Sequence, residues 1–161
     1  MNYQFRKYTF EEIYLPVSAR FVIDQEHDTI ALKPVPEIQF PINDDSIISV
    51  LTSYYILNPK VKHVLTIARR LDADTRDLSS AVHLLTGMNH DDLLRQYRLR
   101  AITELLTTTK LSTQCIATFF GYPKLHAFNR FLTDQTGLTA NDIREGVTID
   151  TKTKRLPWWK M

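Results

Sequence analysis

Four positions in this chain recur at an offset of about 50 residues: Ala68, Leu78, Val82 and Gly87 are echoed by Ala117, Phe128, Leu132 and Gly137. In each copy a small alanine lets two helices cross closely. An i, i+4 apolar pair on the second helix then fills a core. The second copy is one residue longer in its turn, and Asp72 falls where that copy has Gly121. Aspartate enters the left-handed backbone region more readily than most residues, so both copies can make the same turn. Such a chain is expected to fold as two similar helical units.

The second copy is the more explicit. Ile116-Ala117-Thr118-Phe119-Phe120-Gly121-Tyr122 ends one short helix on a glycine turn, and a second helix begins three residues later with Phe128, Phe131 and Leu132 on one face. Two short helices joined in this way make a helix-turn-helix, which sets its second helix in a DNA major groove. Between the copies the pattern predicts a long helix from about Asp91 to Leu106, with Leu94, Tyr97, Leu105 and Leu106 as its apolar side. At about 1.5 Å per residue it spans roughly 25 Å. That length suits two reading helices near the roughly 34 Å spacing of successive groove faces, so one chain can read two segments without dimerising.

The remaining punctuation predicts helices over Lys62–Leu71, Thr75–Leu85, Ser112–Phe120, Lys124–Gln135 and Ala140–Glu145. Asp74 is the expected N-cap of the second, and Gly87 its end. An earlier helix is capped by Asp44, Asp45 or Ser46 and runs through Leu57, stopped by Asn58-Pro59. Before it, Phe21-Val22-Ile23 and Thr29-Ile30-Ala31-Leu32 flank Asp24–Asp28 as a hairpin, and Pro34, Pro36 and Pro41 hold the chain extended. The expected fold is therefore all-α: two helix-turn-helix units joined by a long linker helix, with a short irregular or β-hairpin N-terminal extension. The expected division is residues 1–44 as extension, 45–145 as the double helix-turn-helix domain, and 146–161 as a basic tail.

Charge is permissive for a nucleic-acid partner. Residues 1–44 carry four Lys/Arg against seven Asp/Glu, and residues 146–161 carry four against one. Cys115 is alone, which excludes an internal disulfide and a cysteine metal cluster and fits a reducing cytoplasm. No apolar run approaches the roughly 18 residues of a membrane span, and Glu11, Glu12 and Asp24 are unlike a signal peptide. His63, His83, His90 and His126 do not form a ligand spacing with acids, and no nucleophilic triad, phosphate loop or carboxylate pair is evident. No enzyme activity, cofactor or metal is expected.

The motifs resemble the AraC/XylS family of bacterial transcription regulators over residues 45–145. Ile116-Ala117, Gly121-Tyr122, Phe128, Asn129-Arg130 and Gly137-Leu138 match the family pattern of the second unit. Arg98 falls on the family's linker-helix arginine, Leu94 and Leu106 on its leucines, and Gly87-Met88 on the glycine closing the first unit. Thr133, Ala140 and Ile102 depart from the family's lysine, proline and alanine. The resemblance implies duplex DNA as partner, with RNA polymerase as a further candidate, and leaves oligomeric state open. The family's usual sensing barrel of about 150 residues exceeds the 44-residue extension, which implies a compact, stand-alone type without small-molecule sensing.

On the second reading helix the candidate DNA contacts are Lys124, Leu125, His126, Asn129 and Arg130. Arginine suits guanine O6/N7 and asparagine suits adenine, while Lys124 suits phosphate. A solvated helix face is the plain alternative. In the first unit Arg76, Ser79 and Ser80 hold the corresponding positions, with Asp72, Asp74 and Asp77 repelling phosphate nearby. The second unit is expected to dominate. Arg98, Arg100, Lys110 and Ser112 are assigned to phosphate contact or bracing, Ser112 also as a helix N-cap. Phe119, Phe120 and Phe131 are expected in the core, and Trp158-Trp159 against the N-terminal segment. A competing reading keeps the fold as a protein-interaction module acting on another regulator or on polymerase.

Overall fold

The computed structural model describes residues 7–44 and 46–146. Asp45, the basic tail beyond Gly146 and the tryptophan pair lie outside the described residues. Two strands, β1 (Phe21–Asp24) and β2 (Thr29–Leu32), form an antiparallel hairpin in the register Phe21↔Leu32 to Asp24↔Thr29. The Asp24 carboxylate closes its turn by accepting from the His27 N–H at 3.1 Å and contacting its Nδ1 at 2.7 Å. Two single-turn helices precede it, α1 (Phe10–Ile13) and α2 (Val17–Arg20), and a 3-10 turn at Val35–Glu37 follows. The extension is thus more regular than its prolines suggest, because Thr9 caps α1 and Pro16 starts α2.

The helical region follows the predicted order: α3 (Ile47–Leu57), α4 (Val64–Arg70), α5 (Thr75–Thr86), α6 (His90–Thr108), α7 (Thr113–Phe119), α8 (Leu125–Thr136) and α9 (Ala140–Arg144). Ser46 is the cap that begins α3, accepting from the Ser49 N–H at 3.2 Å. The helix predicted from Lys62 begins two residues later, at Val64. The linker helix runs past both predicted ends, since Asn89 caps it so that it begins one residue early and threonines continue it to Thr108. Its 19 residues span about 28 Å.

Two apolar cores share α6. Leu93, Leu94 and Tyr97 from its first half join Ile48, Leu51, Ile56, Ile67, Leu78 and Val82. Leu99, Ala101, Ile102, Leu105 and Leu106 from its second half join Ile116, Ala117, Phe128, Leu132 and Ile143. Burying each such aliphatic side chain contributes about 1.5–3 kcal/mol. The extension runs along the same helix: Ile13, Tyr14 and Leu15 enter the first core, Val17 and Phe21 the second. The Tyr97 hydroxyl donates to the Ile13 carbonyl at 3.1 Å and accepts from the Leu15 N–H at 2.9 Å, fixing the extension to the linker. Among the described residues no helix is long and apolar enough to cross a membrane.

Candidate nucleic-acid interface

The second unit is built around Gly121. Its φ of +85° turns the chain between α7 and α8, and the Tyr122 N–H closes the turn on the Ala117 carbonyl at 2.8 Å. A Cβ at Gly121 would meet Lys60 backbone and Cβ atoms at 3.3 Å, so both conformation and space call for glycine. Ala117, Phe128 and Leu132 are fully buried where α7 crosses α8. That packing leaves Leu125, His126, Asn129, Arg130 and Thr133 exposed on the opposite side of α8. His126, Asn129, Arg130 and Thr133 follow i, i+3, i+4, i+7 spacing, one continuous helical stripe. Lys124 stands exposed at the head of the helix, where its side chain makes no capping bond.

The first unit repeats this geometry closely. Asp72 adopts φ +49° where the other unit has its glycine, and the Ala73 N–H reaches the Ala68 carbonyl at 2.9 Å. Gly87 and Gly137 end α5 and α8 at φ +74° and +73°. Thr86 and Thr136 then make the same pair of bonds, donating to Val82 and Leu132 carbonyls and accepting from Met88 and Leu138 N–H groups. The stripe on α5 equivalent to that on α8 comprises Arg76, Ser80 and His83, all exposed, with Ser79 half-buried. Asp74 spends its carboxylate on the Arg76 N–H at 2.7 Å, and Asp72 and Asp77 are exposed beside it.

The four residues assigned to phosphate or bracing separate in space. Arg98 is 9% exposed, with its guanidinium carbon 4.6 Å from the Phe131 ring centre and Nη1 donating to the Val61 carbonyl at 3.4 Å. Burial pulls its pKa below the ordinary value, and the nearby Tyr122 works against that fall. Arg100 pairs with Glu11 at 3.1 Å and Glu104 at 3.7 Å. Lys110 has an exposed side chain, while its backbone N–H donates to the Gln25 side chain at 2.8 Å. Ser112 caps α7 through the Cys115 N–H at 3.0 Å, and its own N–H and hydroxyl donate to the Asp28 carboxylate at 2.7 and 2.5 Å.

Several holding residues escape a sequence reading. Lys62 donates to the Gly121 carbonyl, and Arg144 donates to the carbonyls of Leu106, Thr109 and Leu111 at the end of α6. Arg20 is 1% exposed among the rings of Tyr14, Phe21 and Tyr97. None of these sits in a motif; a basic residue near a predicted helix end was the signal for Lys62 and Arg144, and Arg20 offered none. The ligand atoms of Asp24, Glu26 and His27 also lie within 4.8 Å of one another, a grouping that turn closure explains.

Residues 67–146 match the family described as "Helix-turn-helix domain". Among solved structures, the C-terminal domain of the two-component response regulator yesN from Fusobacterium nucleatum has a similar fold. It is 22% identical with a TM-score of 0.51, over 61% of this chain and 93% of that one. The C-terminal domain of AraT, a response regulator from Geobacillus stearothermophilus, is 24% identical over 62% of this chain and 81% of that one, with a TM-score of 0.49. No curated protein matches the chain.

Proposed function

With residues 67–146 forming a helix-turn-helix domain of the AraC type, we propose that this chain regulates transcription by recognising a specific sequence in duplex DNA, with the second unit dominant. The observation that carries this reading is the exposed His126–Asn129–Arg130 stripe on α8, repeated by Arg76–Ser79–Ser80 on α5. Asparagine and arginine are suited to paired bonds with adenine and guanine edges, whereas serine discriminates weakly. Lys124 and Lys110, with exposed side chains, are the proposed phosphate contacts in the second unit. Buried Arg98 is better suited to bracing the units, and Arg100, paired to Glu11, is a weaker phosphate ligand. A cytoplasmic location and RNA polymerase as a further candidate partner complete the proposal.

Selection of bound sequences from a random duplex library by the full chain tests it. A recovered consensus that loses preference at one base pair in Arg130→Ala supports the reading. Failure to enrich any sequence favours the second reading, a protein-interaction module, which draws on the exposed Asp72 and Asp77 around α5.

A further inference from the structure

Leu125 is the first residue of α8, and it is 37% exposed. Of the other large apolar side chains exposed among the described residues, Val22, Val35, Val50 and Leu65 lie outside the reading helices, and Leu84 falls on the last turn of α5. Leu125 therefore stands alone as an exposed apolar group at the head of a reading helix. Its i, i+4 neighbour Asn129 belongs to the exposed stripe, and its i, i+3 neighbour Phe128 is fully buried. The residue sits at the boundary between the second core and the face proposed to meet DNA. The repeat places Thr75, smaller and half-buried, at the equivalent position of α5. The head of α8 is also left bare. α5, α6, α7 and α9 each begin on a side chain that accepts a backbone N–H, whereas Lys124 gives α8 no such bond. No acid stands in its first turn to repel a duplex.

We infer that Leu125 reads the C5-methyl group of one thymine and so fixes one A·T pair in the recognised sequence. The inference rests on the proposed DNA recognition and adds to it the identity of a base. The residues at the start of a recognition helix are the ones that reach base edges in the major groove. The one apolar group that the base pairs present there is the thymine methyl. Seating that methyl against Leu125 takes apolar surface of both partners out of water. Cytosine carries a hydrogen at the same ring carbon and offers no such contact. His126, Asn129 and Arg130 supply polar groups to the same face, so Leu125 gives it the apolar element they lack. A leucine that only covered the edge of the second core would, when truncated, weaken binding to every duplex alike.

The test replaces each thymidine of the selected duplex in turn by deoxyuridine, which removes one methyl and leaves base pairing intact. The full chain should lose about fourfold in affinity at one position, the effect of one buried methyl. Leu125→Ala should bind the parent duplex more weakly and show no loss at that position, whereas Leu125→Met, which keeps an apolar side chain of similar reach, should still show it. Comparing the two duplexes with the two proteins isolates the pair from any general effect of the substitution. A uracil penalty that persists in Leu125→Ala assigns the methyl to another residue and overturns the inference. A selected sequence in which no single uracil matters overturns it as well. Both results leave the proposed DNA recognition standing, while failure to select any sequence overturns the two together.

Discussion

Lys62 Nζ donates to the Gly121 carbonyl oxygen at 2.6 Å and stands 3.9 Å from the centre of the Tyr122 ring. A loop residue before the first unit is thereby fastened to the turn of the second. Lys62→Met keeps the aliphatic stem but removes the bond and the cation–π contact. It should lower stability by about 1–2 kcal/mol in urea unfolding followed by circular dichroism. An unchanged midpoint would mean that the units are held by α6 and the extension alone.

Arg98 sits one contact away, against the same Tyr122 ring and the Phe131 ring. Arg98→Ala should cost about 2–3 kcal/mol through lost packing and an unpaired Val61 carbonyl. The salt dependence of DNA binding should not change, because a braced arginine neutralises no phosphate. A slope shallower by about one would instead place Arg98 on the backbone.

The repeat and its turns were legible because each depends on local backbone chemistry. Gly87, Gly121 and Gly137 stand where the chain needs positive φ, and Asp72 does the same work with a side chain that tolerates it. The linker helix was legible from its leucines, and its exposed partners on α8 from helical spacing alone. The long-range partners of the braces were not. Lys62 to Gly121 and Asp28 to Ser112 join residues 59 and 84 apart, and such pairs leave no periodic trace in a sequence. The hairpin of the extension was legible from its β-branched runs, whereas the buried residues Ile13, Tyr14 and Val17 before it come in turns too short to show a period.

Asp28 accepts two bonds from Ser112, and these hold its carboxyl below the ordinary value of 3.8. A carboxylate whose folded pKa is lowered contributes stability above its unfolded pKa and loses it as pH falls through the folded value. Asp28→Asn should therefore lower the melting temperature near neutral pH, and the gap to the parent should close as the pH falls from the ordinary carboxyl value of 3.8 through the lowered folded one. A gap independent of pH would assign the effect to shape or to the φ of +51° at this residue, not to charge.

Ile13 lies fully buried in the first core, within the extension. Ile13→Ala should destabilise the whole chain by about 2–4 kcal/mol and leave one cooperative transition. A local effect, with helix melting unmoved, would show that residues before Ser46 fold as a separable layer.

The most direct test of the central claim is the salt dependence of affinity for the selected duplex. With Arg100 held by Glu11, the exposed cations Lys110, Lys124, Arg130 and Arg76, with Arg69 or Arg70, leave about four or five charges to displace counterions from the duplex, whether at phosphate or in the groove. Log affinity should fall against log salt with a slope of about −4, weakening binding by over a hundredfold between roughly 50 and 200 mM. Absence of saturable binding to any duplex at about 50 mM salt, where counterion release is strongest, would contradict DNA recognition as the function of this chain.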